Sequence, residues 1–446
     1  MKRLKFPAIA FASLAFLWLT WLWISQHRLQ SVLDDLRSRH LPVSAADLDL
    51  SPIPSKQNAA FYYQAADAAQ STTVCSPANS DKTFSNYPPY PAAWQTMEDQ
   101  AIAANQQALA LAHQASAFPR ADWGLTTQPV LSFPFSVRFN YNLERGLSGL
   151  ISDAALQAHS HGNDALALQR VFDLLHLGDA TQQRGFLISR LVAFGILGQA
   201  ISDIDVLAVD LQMAPNRQAI LQLIHQLLDD QRNLDAREAM ATDEMILSIE
   251  QLRSLASQAT ILRPMIYLSE ARIATHVAQF CLSMAQTDYP DSVAVWPYST
   301  PNYILSYRPP PHPQAPRFSR LAEYLCGDYY PDLQPLIEYR QIAGYRCAAI
   351  SLAMNLYHTD HHSWPHNLSA LVPQYLPAVP NDPFFKTPQP IGYTIINGTR
   401  PMLFYDENDQ PSPISPTSQP TFAYNSGRDS RHWLDVTNWW QSPHSQ

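Results

Sequence analysis

Four histidines, His358, His361, His362 and His366, fall close together in the run YHTDHHSWPHNLSALVPQYLPAVPNDPF, residues 357–384. Imidazoles at this density raise a metal reading, because zinc takes convergent, neutral ring nitrogens whose second nitrogen is held by a partner. His358 and His362 share a face only if a helix runs on to 362, and a solvent-facing helix end seldom supplies such convergence. The competing reading is a polar helix terminus, where partly protonated histidines suit the negative end of the helix dipole. The prolines and aromatics that follow favour this second reading, in which one element ends and another begins.

Arg190 is the other residue whose setting raises a chemical question, since it lies inside the apolar stretch FLISRLVAFGILGQAISDI. A buried guanidinium needs a paired acid, because an isolated charge in the interior is costly. Asp235, Glu238 and Glu244, in LDAREAMATDEMILS, are the candidates, and an internal clamp between Arg190 and Glu238 is the expectation. A catalytic use of these groups is the alternative, and structural pairing is the preferred reading. The chain has no GxSxG, no CxxC, no P-loop and no GxGxxG, which argues against a nucleophile elbow, a dithiol or ribbon site, and nucleotide use. The run AHSHG (His159, Ser160, His161) places catalytic residue types side by side without a spacing that gives them roles. No catalytic residue is assigned.

Cysteines are few: Cys75, Cys281, Cys326 and Cys347. Cys326 and Cys347 are the nearest pair if the compartment is oxidising; four small buried hydrophobes is the other reading. Acidic residues outnumber basic ones 38 to 29, with a net charge of −9 and no basic tract beyond the first few residues. That balance excludes the concentrated positive surface a nucleic-acid partner needs. With 36 prolines against 13 glycines, the loops are stiffened by fixed φ.

These groups must be positioned by elements, and the first element is the clearest. MKRLK precedes Phe6–Ile24, FPAIAFASLAFLWLTWLWI, a run without a charge. As a helix it is about 28 Å long, close to the roughly 30 Å of bilayer hydrocarbon. Trp18, Trp21 and Trp23 crowd its far end, where amphipathic rings favour the membrane interface, and Lys2, Arg3 and Lys5 favour a cytoplasmic N-terminus. A cleaved signal peptide would end its apolar run in a small-x-small site, which WLWISQHRLQS does not offer. An uncleaved single-pass anchor over residues 1–25 is therefore expected.

Beyond it, the fold class is read as mainly α, with an α-hairpin helical body and a small C-terminal α+β module. Residues 26–130 are read as membrane-proximal helices with a proline-rich loop: a short polar helix over 26–39, another helix from about Asn58, and one over 93–116. Residues 131–290 form the helical body, in which Ala165, Leu168, Phe172 and Leu175 predict one apolar face. LQAHSHGNDALALQRVFDLLHLGDA resembles a tetratricopeptide-type helical pair, without a repeat of fixed length. Residues 291–330 are a proline-rich connection. In 331–446, Leu336, Ala343, Cys347, Ile350, Met354 and Tyr357 predict an amphipathic helix over 333–358. Pro365 stops that helix and holds Trp364 over its end, Leu368, Leu371 and Val372 make one helical turn, and Asn397-Gly398 predicts a two-residue hairpin turn.

The order of these C-terminal residues resembles the globular part of type II secretion major pseudopilins and related type IV pilin-like proteins. The matching positions are Tyr357, Asp360, Trp364, Pro365, Leu376, Pro377, Pro380, Asp382, Pro383 and Tyr393, with Ser426, Gly427, Asn438 and Trp439 in a closing loop. The departures are the residues between anchor and module and an anchor without a glutamate or prepilin cleavage signature. The whole arrangement, with Asn58–Ala60 and Leu187–Val192, is similar to membrane-anchored proteins of planctomycete-type bacteria, a resemblance that implies no reaction. The pseudopilin resemblance implies a C-terminal calcium site. Asp406, Glu407 and Asp409 in one turn, with Asp429 and Asp435, are its oxygen ligands, although acidic turns are also commonly just solvated. The sequence-based expectation is a non-catalytic interaction or scaffold protein of the envelope, linked to secretion or surface assembly, with its bulk outside the bacterial inner membrane. The alternatives are an envelope hydrolase with a site in the helical body, and a pseudopilin-type secretion subunit.

Overall fold

Nothing in the sequence from Lys5 to Ser38 stops a helix beyond its first turn, and α1 (Lys5–Ser38) runs unbroken through 34 residues. At 1.5 Å per residue it is about 50 Å long, well beyond the roughly 30 Å of a bilayer core. The expected break between an anchor and a separate helix at 26–39 is absent, because WISQHRLQSV contains neither proline nor glycine. The structure is a computed structural model that describes residues 5–41, 43–44, 53–71, 90–123, 141–183, 187–230, parts of 253–275, 334–396, 399–406 and 431–435.

Along α1 the surroundings change. Ile9, Phe11, Leu14, Phe16, Leu17, Leu19, Trp21, Trp23 and Ile24 are exposed. Farther on, Leu29, Leu33 and Leu36 are buried against Val43, Ala271 and Ala274. Ala15, Trp18, Leu22 and Val32 are partly covered and Ser25, Leu29 and Leu36 are buried, so these covered positions recur at alternating spacings of three and four. That is one stripe of a single helix.

The body is built of antiparallel helical neighbours. Asn58 caps α2 (Ala59–Ala68) by accepting from the Ala60 N–H. The helix expected over 93–116 is two helices, α3 (Ala92–Ala104) and α4 (Gln106–Ala115). They break at buried Asn105, whose amide donates to the Ala101 carbonyl and accepts from the Ser71 N–H. Next come α5 (Tyr141–Ser160) and α6 (Asp164–Gln182), joined as a hairpin at His161–Asn163. Gly162 takes φ +74 there, which a side chain would resist, and Asn163 caps α6. The buried face of α6 is carried by Leu168, Val171 and Leu175, whereas Ala165, expected on that face, is exposed. Gly178 on α6 lets α7 (Leu187–Leu207) approach closely, since a Cβ there would lie 2.4 Å from a Leu197 methyl. α8 (Met213–Leu227) completes the series.

The long C-terminal helix α9 (Gln334–His361) packs on α7 and α8. It is not merely amphipathic: every residue from Cys347 to Leu356 is buried. Sequence periodicity indicated one apolar face, but here alanines and serine fill the other faces and let neighbours close in. A 3₁₀ turn, Leu368–Leu371, packs Leu368 and Leu371 against it. The strands β1 (Gly392–Ile396), β2 (Arg400–Asp406) and β3 (Arg431–Asp435) form an antiparallel sheet in that order. Ile396 pairs with Arg400, so three residues rather than two close the β1–β2 hairpin. One buried cluster runs from Ala59 to Leu403 and draws on the membrane-proximal helices, the helical body and the C-terminal region alike.

Candidate functional site

The histidine-rich end of α9 is a junction. The helix stops at His361 and His362 takes φ +54, which turns the chain back over the helix. Trp364 stacks on His358, with ring centroids 4.3 Å apart. Pro365 is buried, and its carbonyl accepts a 2.7 Å hydrogen bond from the Tyr393 hydroxyl of β1. Asp360 accepts from Arg217 of α8 at 3.0 Å and from the Tyr375 hydroxyl at 2.7 Å. The Tyr375 hydroxyl, helped by Arg217, holds the Asp360 carboxyl below the usual carboxylate range. His361 lies against the Tyr357 ring, 4.2 Å between centroids. The His358 and His361 rings therefore face different neighbours, and no three of these imidazoles converge as a metal site among the described residues.

Downstream, the Asp382-Pro383 step forms a turn in which Asp382 Oδ1 accepts from the Phe384 N–H at 3.0 Å. The Phe384 ring is stacked on Tyr405 at 5.8 Å and tilted against Tyr339 at 6.3 Å. Arg346 of α9 donates to the Asn381 carbonyl and to Asp230, tying this turn to the end of α8. Trp364, Pro365, Asp382 and Pro383 thus strap the C-terminal chain onto α9. Cys347 is a buried free thiol beside this strap. Burial, then Asp205 and Asp382, push its thiol up and away from the reactive thiolate.

Arg190 is 1% exposed and donates to Glu338 of α9, also 1% exposed, at 2.6 Å, and to Gln182 at the end of α6. The expected internal Arg–Glu clamp is present, with Glu338 as its described acid; Glu238, Asp235 and Glu244 lie outside the described residues. Glu338 is brought to Arg190 by α9, from 148 residues away in sequence.

Of the calcium quartet, only the backbones of Asp406 and Asp435 fall within the described strands. Asp406 pairs with Arg431 and Asp435 with Met402, so the two stand at opposite ends of the β2–β3 ladder. Four positions of strand put their backbones about 13 Å apart, too far for one ion bound at roughly 2.3–2.6 Å. Asp409 and Asp429, like Glu407, lie outside the described residues. Among the described residues no group of three His, Cys, Asp or Glu side chains converges as a metal site.

Three polar centres were not assigned from the sequence. His159, in AHSHG, donates to Asp164 at 2.7 Å and Asp210 at 2.8 Å, with both ring nitrogens occupied. Burial works to lower its pKa, but the hydrogen bonds to Asp210 and Asp164 outweigh it and raise it above the ordinary imidazole value. Asp164 also accepts from the Gln212 N–H, so the centre joins the ends of α5, α6 and α8. His176 meets the Phe118 carbonyl through Nε2 at 2.9 Å and the Tyr63 hydroxyl through Nδ1 at 2.6 Å. Burial lowers the His176 pKa, which keeps it neutral, donating from Nε2 and accepting from Tyr63. Asp203 and Asp205, late in α7, are pushed up by burial to about 8. Asp203 accepts from Ser152 at 2.9 Å, while no donor among the described residues reaches Asp205 Oδ1. The usable signal was the one that flagged Arg190: charges inside an apolar helix, here in ISDIDVL.

The His159, His176 and Arg190 networks link elements distant in sequence, and their ring and terminal guanidinium nitrogens are engaged by other parts of the same chain. Chemically, the arrangement braces helices. Compared with protein-family models, with curated proteins and with solved structures, the chain finds no match.

Proposed function

We propose that this protein is a single-pass, membrane-anchored scaffold of the bacterial envelope, with α1 uncleaved in the inner membrane and the helical body on the periplasmic side. The observation that carries this reading is the division of α1. Its apolar first part is exposed on nearly every side, while its continuous second part is packed into the protein through Leu29, Leu33 and Leu36. A helix apolar all round and uncovered belongs in lipid, and a segment fused without a break to a packed one is suited to holding that body at the surface. One helix in the described residues is long and apolar enough to cross a membrane.

The scaffold reading draws on the polar networks, which brace α5–α9 and the C-terminal strap. The pilin-like resemblance points to secretion or surface assembly as its setting. A stable protein partner in the envelope is the expected consequence. Crosslinking in native membranes followed by pull-down of the full chain tests it: a defined partner at fixed stoichiometry is expected, and recovery of the uncrosslinked chain alone contradicts it. Reporters fused after Gln446 test the orientation, with periplasmic alkaline phosphatase active and a cytoplasm-dependent fluorophore dark.

A further inference from the structure

The covered stripe of α1 does not end where the exposed apolar part begins. Trp18, inside the uncharged run, donates its indole N–H to the backbone carbonyl of Ile261 at 3.1 Å. Ile261 belongs to a 3₁₀ turn, Thr260–Leu262, that carries no buried residue. Its side chain is 78% exposed and that of Leu262 is 44% exposed. Two large aliphatic side chains at the tip of a turn, far in sequence from α1, are thus held beside the anchor and exposed.

Position along the helix decides what the tip meets. Trp18 lies six residues before Ile24, so the tip reaches about 9 Å back along the uncharged run from its far end. That matches the roughly 5–10 Å by which interfacial elements sink into a membrane. A turn at this depth needs its backbone polar groups satisfied within the protein, since acyl chains offer no partner. The Trp18–Ile261 bond satisfies a carbonyl and an indole together. The base of the tip is closed by Arg263, whose Nε donates to the Ala256 carbonyl at 2.8 Å.

We propose that the Thr260–Leu262 turn is a second membrane contact, a wedge in which Ile261 and Leu262 enter the acyl region of the outer leaflet beside α1. The contact fixes the tilt and rotation of the body relative to the membrane, which one helix alone leaves free. It rests on the anchor reading of α1. The test is photocrosslinking of the full-length protein in vesicles of phosphatidylethanolamine and phosphatidylglycerol. Benzoylphenylalanine replaces Ile261, Leu19 on the exposed part of α1, or exposed His225 on α8, in separate chains. Lipid adducts at 261 are expected at roughly ten times the His225 background or more, as for a side chain among acyl chains rather than in water. Adducts at 19 with only background at 261 overturn the wedge and leave the anchor standing. Background at 19 as well overturns the anchor, and the wedge with it.

Discussion

Arg190 and Glu338 are each buried to 1% exposure, so the stability of the core depends on both being present. Arg190→Ala leaves a carboxylate buried without its cation and is expected to cost about 3–5 kcal/mol in urea unfolding. Replacing both, as Arg190→Met with Glu338→Leu, should recover most of that loss. The sequence disclosed that Arg190 needs an acid but not which one, because partner choice is settled by packing between helices more than a hundred residues apart. The titrating groups make opposed contributions. The folded pKa of His159 is raised above 6.5, so its clasp contributes fully below that pH and is lost as pH rises through the raised value. Asp210, lowered from 3.8 first by its hydrogen bond from His159, contributes above 3.8 and is lost as pH falls through its lowered value. His159→Gln should therefore lower the Tm most between about pH 4 and 6.5, with the difference shrinking in alkali. Asp205 acts in the other direction. It stays protonated in the folded protein to about 8 but ionises near 3.8 when unfolded, so folding loses stability as pH rises across that window. The slope is about 1.4 kcal/mol per pH unit for each such proton. Asp205→Asn should raise the Tm at pH 8 and change little at pH 4; no gain at pH 8 would contradict a neutral, buried Asp205.

At the scale of elements, close packing rests on small residues, and Gly178 is the sharpest case. A methyl there meets Leu197 of α7, so Gly178→Ala is expected to destabilise by about 1–3 kcal/mol in thermal or urea unfolding, despite alanine's better helix propensity. Elements with strong local signals were legible: α2 from about Asn58, the α5–α6 hairpin from its tetratricopeptide-like pattern, and the end of α9 ahead of Pro365. The break at Asn105 was hidden, since asparagine also occurs inside helices and its cap to Ser71 depends on a distant segment. The burial of α9 on every side was hidden for a related reason. Period-3.6 patterning reports one apolar stripe, whereas Ala348, Ala349, Ser351 and Ala353 are small enough to lie against neighbours on the remaining faces. The β2–β3 register was also beyond local reading, and it is what separates Asp406 from Asp435.

For the whole molecule, α1 carries a lipid-sized apolar surface on into a stripe packed against Val43, Ala271 and Ala274, and that continuity is the basis of the proposed role. The apolar run itself was plain in the sequence, because an uncharged stretch of this length has few other uses. Its continuation into a packed stripe was not, since the covering residues Ala271 and Ala274 lie far along the chain. The most direct test is alkaline carbonate extraction of membranes from cells making the full-length chain, with the mass of the retained product measured. A product of 50.1 kDa, the uncleaved chain, is expected to stay in the carbonate-washed pellet and to be released by detergent. An intact chain in the carbonate supernatant, or a pellet-free product shortened by the mass of the apolar run, would contradict it.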